Sequence, residues 1–175
     1  MTYAVIDSPL GPLTLVATES GELTGLYMDR QRYRPEPETF GDRHDTVLPA
    51  VAEQLGEYFD HGRTEFDVPL HLVGTPFQRR MWTALQDVPF GETTTYGELA
   101  ATLGLAPTAA RAVGLANGKN PISIIVPCHR VLGSTGSLTG YGGGLDRKQA
   151  LLDHERGALV FPGWDLGHQV ATSDI

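Results

Sequence analysis

The sequence predicts an α+β chain, with a small N-terminal antiparallel β-sheet and one helix followed by a mainly helical half that contains a helix-turn-helix. Three observations carry this expectation. The first quarter alternates apolar and polar side chains between turn sequences, helical spacing takes over near Gly74, and two short amphipathic helices then follow in close succession.

"YAVID", "PLTLVAT" and "ELTGLYM" are alternating runs separated by "SPLG" and "ESG", the pattern of an antiparallel meander. The polar stretch "DRQRYRPEPETFGDRHD", with two prolines, reads as an exposed connection. Val51, Leu55, Tyr58 and Phe59 fall at helical spacing in "PAVAEQLGEYFDHG", with Gly62 as the stop. "TEFDVPLHL" alternates again and predicts a returning strand. In "TPFQRRMWTALQDVP", Thr75 is an N-cap, Pro76 takes the first helical position, and Phe77, Met81, Trp82 and Leu85 line one face.

After "FGETTT", a helix "YGELAATLG" ends at Gly104, and a second helix "TAARAVGLANG" closes at Gly118. Spacing alone fits either a DNA-binding helix-turn-helix or an ordinary corner between two helices. "ISIIV" reads as a buried strand, "LGSTGSLTGYGGG" as a glycine-rich loop and "LDRKQALLDHERG" as a last helix, while the tail "VFPGWDLGHQVATSDI" has no clear period.

Composition limits the function. At 41% apolar residues the 175-residue chain can bury a real core, no apolar run is long enough to span a bilayer, and the start lacks a signal peptide, so a cytoplasmic protein without a membrane partner is expected. The net charge of -8 argues at first against nucleic acid, but it is unevenly spread. Residues 1–75 carry thirteen acids and five arginines, whereas residues 76–150 set four acids against Arg79, Arg80, Arg111, Lys119, Arg130, Arg147 and Lys148. Only that middle segment suits an anionic partner.

The same segment holds the only cysteine, Cys128, in "IVPCHRV". One cysteine makes neither an internal disulfide nor a four-thiolate zinc site, so Cys128 is buried filler or a nucleophile. A nucleophilic thiol needs something to remove its proton or lower its pKa. His129 is adjacent, Arg130 adds positive charge, and Glu155 on the following helix could orient an imidazole. Neighbours in an extended strand point to opposite faces, so Cys128 and His129 can meet only if the backbone turns or a water bridges them. The scattered histidines predict no metal site, and "VGLANGKN" misses the Walker pattern.

Taken together, "TPFQRRMWTAL", "PFGETTTYGELA", "ARAVGLANGKNPISII", "IVPCHRV" and "GSLTGYGGGLDRKQALLDHE" resemble the O6-alkylguanine-DNA alkyltransferases, or methylated-DNA–protein-cysteine methyltransferases. The resemblance is dense from Thr75 to Glu155, and "IDSPLGPLTL" and "EQLGEYFDHG" are compatible with the family's variable N-terminal domain. It implies an N-terminal scaffold over residues 1–74, a helix-turn-helix and active-site domain over 75–158, and a tail over 159–175. It also implies an irreversible transfer, once per molecule, of an alkyl group from O6-alkylguanine in duplex DNA to Cys128, with O4-alkylthymine left open as a second substrate.

In that reading His129 takes the Cys128 proton through a water, Glu155 orients His129, and Tyr96 crowds the target phosphate and donates to the guanine ring. Asn120 ties the helix-turn-helix to the active-site strand. Arg111 fills the gap in the base stack, small residues around it (Ala110, Ala112, Gly114) suit the minor groove, and Thr94 and Thr95 approach phosphate. Tyr141, the backbone of Val131 and Gly142, Ser123 and Asn117 line the base pocket. The resemblance implies no cofactor, and a monomer in solution with cooperative binding on DNA left open. The physics agrees, since an alkyl carbon inside a duplex is reached only by flipping the nucleotide out.

Three rivals use fewer of these residues. A non-catalytic alkyl-lesion binder would replace the acceptor cysteine; a cysteine hydrolase or thiol redox protein has no use for Tyr96 and Arg111; a damage-sensing regulator would add a cysteine-rich zinc module.

Overall fold

The computed structural model describes residues 1–157; the expectation for the tail concerns residues outside that range. The N-terminal meander forms as the alternation predicts, with β1 (Thr2–Ile6), β2 (Leu13–Ala17) and β3 (Leu23–Met28) pairing antiparallel, Ala4 opposite Leu15 and Leu15 opposite Leu26. One face of this sheet joins the main core through Leu13, Leu15, Leu26 and Met28. On the other, Val16 and Tyr27 are covered by Phe40, whose ring stacks on Tyr27 at 5.5 Å.

Phe40 belongs to the stretch expected to be an exposed connection. That stretch instead folds back through a 3-10 turn (Pro37–Phe40) and a short strand β4 (Asp42–Arg43), which pairs parallel to β1, giving the order β3-β2-β1-β4. Its Phe40 seals the second face of the sheet, a gain that the stretch's polar composition hides.

Helix α1 (Pro49–Phe59) buries Val51, Leu55, Tyr58 and Phe59. The left-handed residue after it is His61 (φ 62°) and not the expected Gly62, whose N–H returns to the Glu57 carbonyl. The strand expected in "TEFDVPLHL" is reduced to one bridge between Leu23 and Leu70, because Pro69 has no N–H to continue a ladder. Helix α2 (Pro76–Leu85) opens with a reciprocal capping box between Thr75 and Gln78 and buries Met81, Trp82 and Leu85.

Helices α3 (Tyr96–Thr102) and α4 (Ala110–Gly118) are separated by Leu103 to Ala109, which includes a 3-10 turn (Pro107–Ala109). Gly104 takes the positive φ (73°) that ends α3. Trp82 of α2 reaches across to donate to the Ala116 carbonyl at 2.8 Å, fixing α4 on α2. The last helix, α5 (Leu145–Glu155), turns Leu151 and Leu152 inward. One apolar core runs from the sheet through α1, α2 and α4 to α5.

"ISIIV" is not a strand. Ile122 bridges Leu26, but Ser123 to Ile125 form a turn in which Ile124 is left-handed (φ 70°). The cause is Asn120: its buried carboxamide accepts from Ile122 N–H and donates to the Ile122 and Val126 carbonyls, so the run closes on itself. No described helix is long and apolar enough to cross a membrane.

Candidate active site

The chain after Pro127 makes a single 3-10 turn, Cys128–Arg130, and runs into β6 (Val131–Leu132), which pairs parallel with β5 (Thr94–Thr95). That turn is the backbone change the cysteine needed, since all three side chains now face buried surroundings. Cys128 is 4% exposed, and its carbonyl accepts from Asn117 Nδ2 at 3.2 Å. Burial pushes the thiol up to about 11, against the opposing pull of Asn120 and Lys148. At neutral pH it is a thiol and needs a base.

His129 is fully buried beside it, with Nε2 2.7 Å from Glu155 Oε2. Its Nδ1 is buried with no hydrogen-bond partner among the described residues. Arg130 forks onto the same carboxylate, Nε to Oε1 at 2.8 Å and Nη2 to Oε2 at 3.0 Å, while its Nη1 donates to the Val88 carbonyl. Tyr58 Oη from α1 donates a further bond to Glu155 Oε2 at 2.7 Å. Burial alone would raise the Glu155 pKa, but its partners more than offset this and hold it well below the usual carboxylate range. Burial keeps His129 below the usual imidazole value, so at neutral pH the compensating charge is the Arg130 guanidinium.

With Glu155 ionised, His129 Nε2 must carry the hydrogen and Nδ1 the basic lone pair. The site therefore presents a neutral thiol, a neutral base with a free lone pair, and a fixed anion behind it.

The other expected residues gather around this centre. Tyr141 is buried, with its hydroxyl beside Ser123 and without a hydrogen-bond partner among the described residues. Asn117 Oδ1 is likewise buried and, among the described residues, unpartnered. Ser123 Oγ donates to Gln31 Oε1 at 3.3 Å, and the same oxygen accepts from Met28 N–H, so a residue of the N-terminal half backs the pocket. The Val131 carbonyl accepts from Lys148 Nζ and the Gly142 carbonyl from Arg32 N–H. Tyr96, half-buried, packs its ring over Gly114 of α4 and donates to the Thr139 carbonyl at 3.3 Å.

Thr95 Oγ1 caps α3 by accepting from Glu98 N–H, which leaves its own hydroxyl hydrogen available to an outside acceptor, and Thr94 Oγ1 donates to Glu98 Oε2 at 3.3 Å. Arg111 and Ala112 are exposed on α4, and Ala110 is half-buried at its start. They stand apart from the buried cluster and face outward.

Sequence reasoning missed Tyr58, Gln31 and Lys148, and noted Arg130 only as nearby charge. Lys148 left a signal. At i, i+3, i+4 and i+7 it shares one helix face with Leu151, Leu152 and Glu155, and a lysine on an apolar face calls for a reason. The structure supplies it, for Nζ donates to the Val131 and Thr139 carbonyls at 2.6 and 2.8 Å.

Comparison with known proteins decides the family. The model for the 6-O-methylguanine DNA methyltransferase DNA-binding domain matches residues 76–157, and that for the ribonuclease-like domain of the same methyltransferases matches residues 1–72. The chain belongs to the 6-O-methylguanine DNA methyltransferase family. Among similar members, a methylated-DNA–protein-cysteine methyltransferase of Mycolicibacterium paratuberculosis is 56% identical over 154 residues, 88% of this chain and 92% of the relative. One from Methanosarcina acetivorans is 46% identical over 155 residues, covering 89% and 98%. A solved structure of Mycobacterium tuberculosis OGT in complex with DNA superposes with a TM-score of 0.83 at 52% identity, covering 90% of this chain and 94% of that one. These methyltransferases share the α+β architecture described above.

Proposed function

We propose that this chain repairs DNA by direct reversal, moving the alkyl group of an O6-alkylguanine in duplex DNA irreversibly onto Cys128, one group per molecule. The observation that carries the reading is the buried group of Cys128, His129 and Glu155, in which His129 Nδ1 has no partner among the described residues. A water between Cys128 and Nδ1 passes the thiol proton to the imidazole, and the imidazolium that forms faces the Glu155 carboxylate. The thiolate then attacks the alkyl carbon: the S–C bond forms, the C–O6 bond breaks, and its electron pair stays on the guanine. Tyr96 exchanges its Thr139 bond for one to the guanine ring and stabilises that leaving charge. The product is a neutral thioether, and the chain has no second cysteine to remove it.

On the DNA side, α3 and α4 act as the helix-turn-helix. Helix α4 enters the minor groove through Ala110, Ala112 and Gly114, and Arg111 fills the place of the flipped nucleotide. Thr94 and Thr95 contact phosphate, Asn120 joins α4 to the active-site turn, and Tyr141, Ser123, Asn117, Val131 and Gly142 enclose the base. Residues 1–74 serve as scaffold and 75–158 carry the chemistry, in a protein that acts as a cytoplasmic monomer.

The test is intact-protein mass spectrometry after mixing with excess duplex carrying one O6-methylguanine, beside Cys128→Ser. A gain of one CH2 on Cys128, absent in the variant and unchanged with time, is expected. Duplex binding with no mass change would instead make the chain a non-catalytic lesion binder and overturn the proposal.

A further inference from the structure

Tyr33 stands on the loop after β3, 48% exposed and with a left-handed backbone (φ 60°) that a tyrosine rarely adopts. Two cations lie over its ring, the Arg32 guanidinium at 4.9 Å and the Lys119 ammonium at 5.5 Å from the centroid. Neither has a carboxylate partner among the described residues. That is unexpected beside an N-terminal half with thirteen acids to five arginines. The other arginines of that half are engaged: Arg43 with Asp45, Arg63 with Glu57, Arg34 with Thr14 and the Met28 carbonyl, and Arg30, at 3.5 Å, with Asp29.

The cluster is fixed against the candidate site. Arg32 N–H donates to the Gly142 carbonyl at 2.7 Å, and Arg147 of α5 pins the Asp29 carbonyl at 2.6 Å. Lys119 caps the C-terminal end of α4. Helix α4 buries Val113, Ala116 and Asn117, which leaves Arg111, Leu115 and Lys119, four residues apart, along its outward edge. Leu115 is 54% exposed there. The Tyr33 cluster therefore continues the exposed edge of α4 onto the N-terminal half.

We infer that Arg32, Tyr33 and Lys119 form a second DNA contact, gripping the phosphate backbone beside the flipped nucleotide. The inference rests on the reading of α4 as the DNA-contacting helix. Neither side chain donates a hydrogen bond among the described residues, so both keep N–H donors for an anion, and a guanidinium fork matches phosphate geometry. Phosphate contacts carry no sequence information, which suits a protein whose target can lie in any sequence. The tyrosine supplies a platform that holds two flexible cations in place before the duplex arrives.

The test compares wild type, the double variant Arg32→Gln/Lys119→Gln, Tyr33→Ala and a control, Arg43→Gln, by equilibrium binding to an unmodified duplex over a series of KCl concentrations. Thermal unfolding confirms that each is folded. Losing a phosphate contact makes the slope of log K against log salt shallower by about 0.9, so the double variant should lose up to about 1.8. Tyr33→Ala should lose part of that, and Arg43→Gln should keep the wild-type slope. A wild-type slope in the double variant, or an equal loss in Arg43→Gln, overturns the inference. Wild type that neither binds duplex nor gains a methyl overturns the underlying DNA-repair reading instead.

Discussion

Tyr58 Oη donates to Glu155 Oε2 at 2.7 Å, so a helix of the N-terminal half holds the carboxylate that orients the candidate base. The same oxygen receives His129 Nε2 and Arg130 Nη2. The N-terminal half thus reaches the carboxylate behind the base through the Tyr58 hydroxyl, as it reaches the pocket wall through Gln31.

Tyr58→Phe keeps the ring and its packing on Phe59 and Phe66 and removes only that donor. A bond to a buried charged acceptor is worth about 1.5–3 kcal/mol, and unfolding in denaturant should show a loss of that size. Single-turnover alkyl transfer should fall less than in a His129 variant, because Arg130 still grips both carboxylate oxygens.

The thiol and the imidazole set the pH profile. Burial raises Cys128 to about 11 and lowers His129 below its ordinary 6.5. His129 must be unprotonated to take the proton, so the wild-type rate should be flat above pH 6.5 and fall only on the acid side. In His129→Gln the general base is lost, which should cost on the order of 10²–10⁴ at pH 7. The remaining rate then follows the thiolate fraction and should climb about tenfold per pH unit from 7 toward 10. A flat profile in this variant would show that His129 is not the base.

The legible part of this chain was its local pattern. Alternation placed β1 to β3, and caps and glycines placed α1 to α5, because those signals depend on neighbours in sequence. "ISIIV" and "TEFDVPLHL" misled for a related reason. An apolar run says only that it is buried, and whether it extends or turns was decided by Asn120 and Pro69, whose hydrogen-bonding capacity lies outside hydropathy. At the site, the adjacency of Cys128 and His129 was visible, but the bonds of Tyr58 and Gln31 span 97 and 92 residues and leave no local trace.

Glu155 should govern acid stability. Its folded pKa is held well below the ordinary 4.5, so its contribution is present above that value and is lost as pH falls through the folded value. Glu155→Gln leaves Arg130 buried without its anion, a change that typically costs 3–5 kcal/mol, on the order of a large share of a domain's stability. The gap between wild type and variant, read from unfolding free energies, should be widest near pH 7 and narrow steadily below pH 4.5.

Lys148 gives the most direct check on the pocket's construction. It is fully buried, and its two carbonyl bonds join α5 to β6 and to Thr139, whose carbonyl also receives Tyr96. Burial lowers its pKa from 10.5 to about 8. Between these values the unfolded chain holds more protons than the folded one, so wild-type stability gains from this group as pH rises from 8 to 10.5. Lys148→Met keeps the stem's bulk, cannot titrate, and leaves the Val131 and Thr139 carbonyls without a donor. It should be less stable at every pH, should lack that rise, and should transfer alkyl groups more slowly because Tyr96 and β6 lose a shared anchor. Urea unfolding at pH 7, 8.5 and 10 separates the two effects. Parallel curves for wild type and variant across that range would mean that the ammonium contributes only its hydrogen bonds and that its titration is uncoupled from folding.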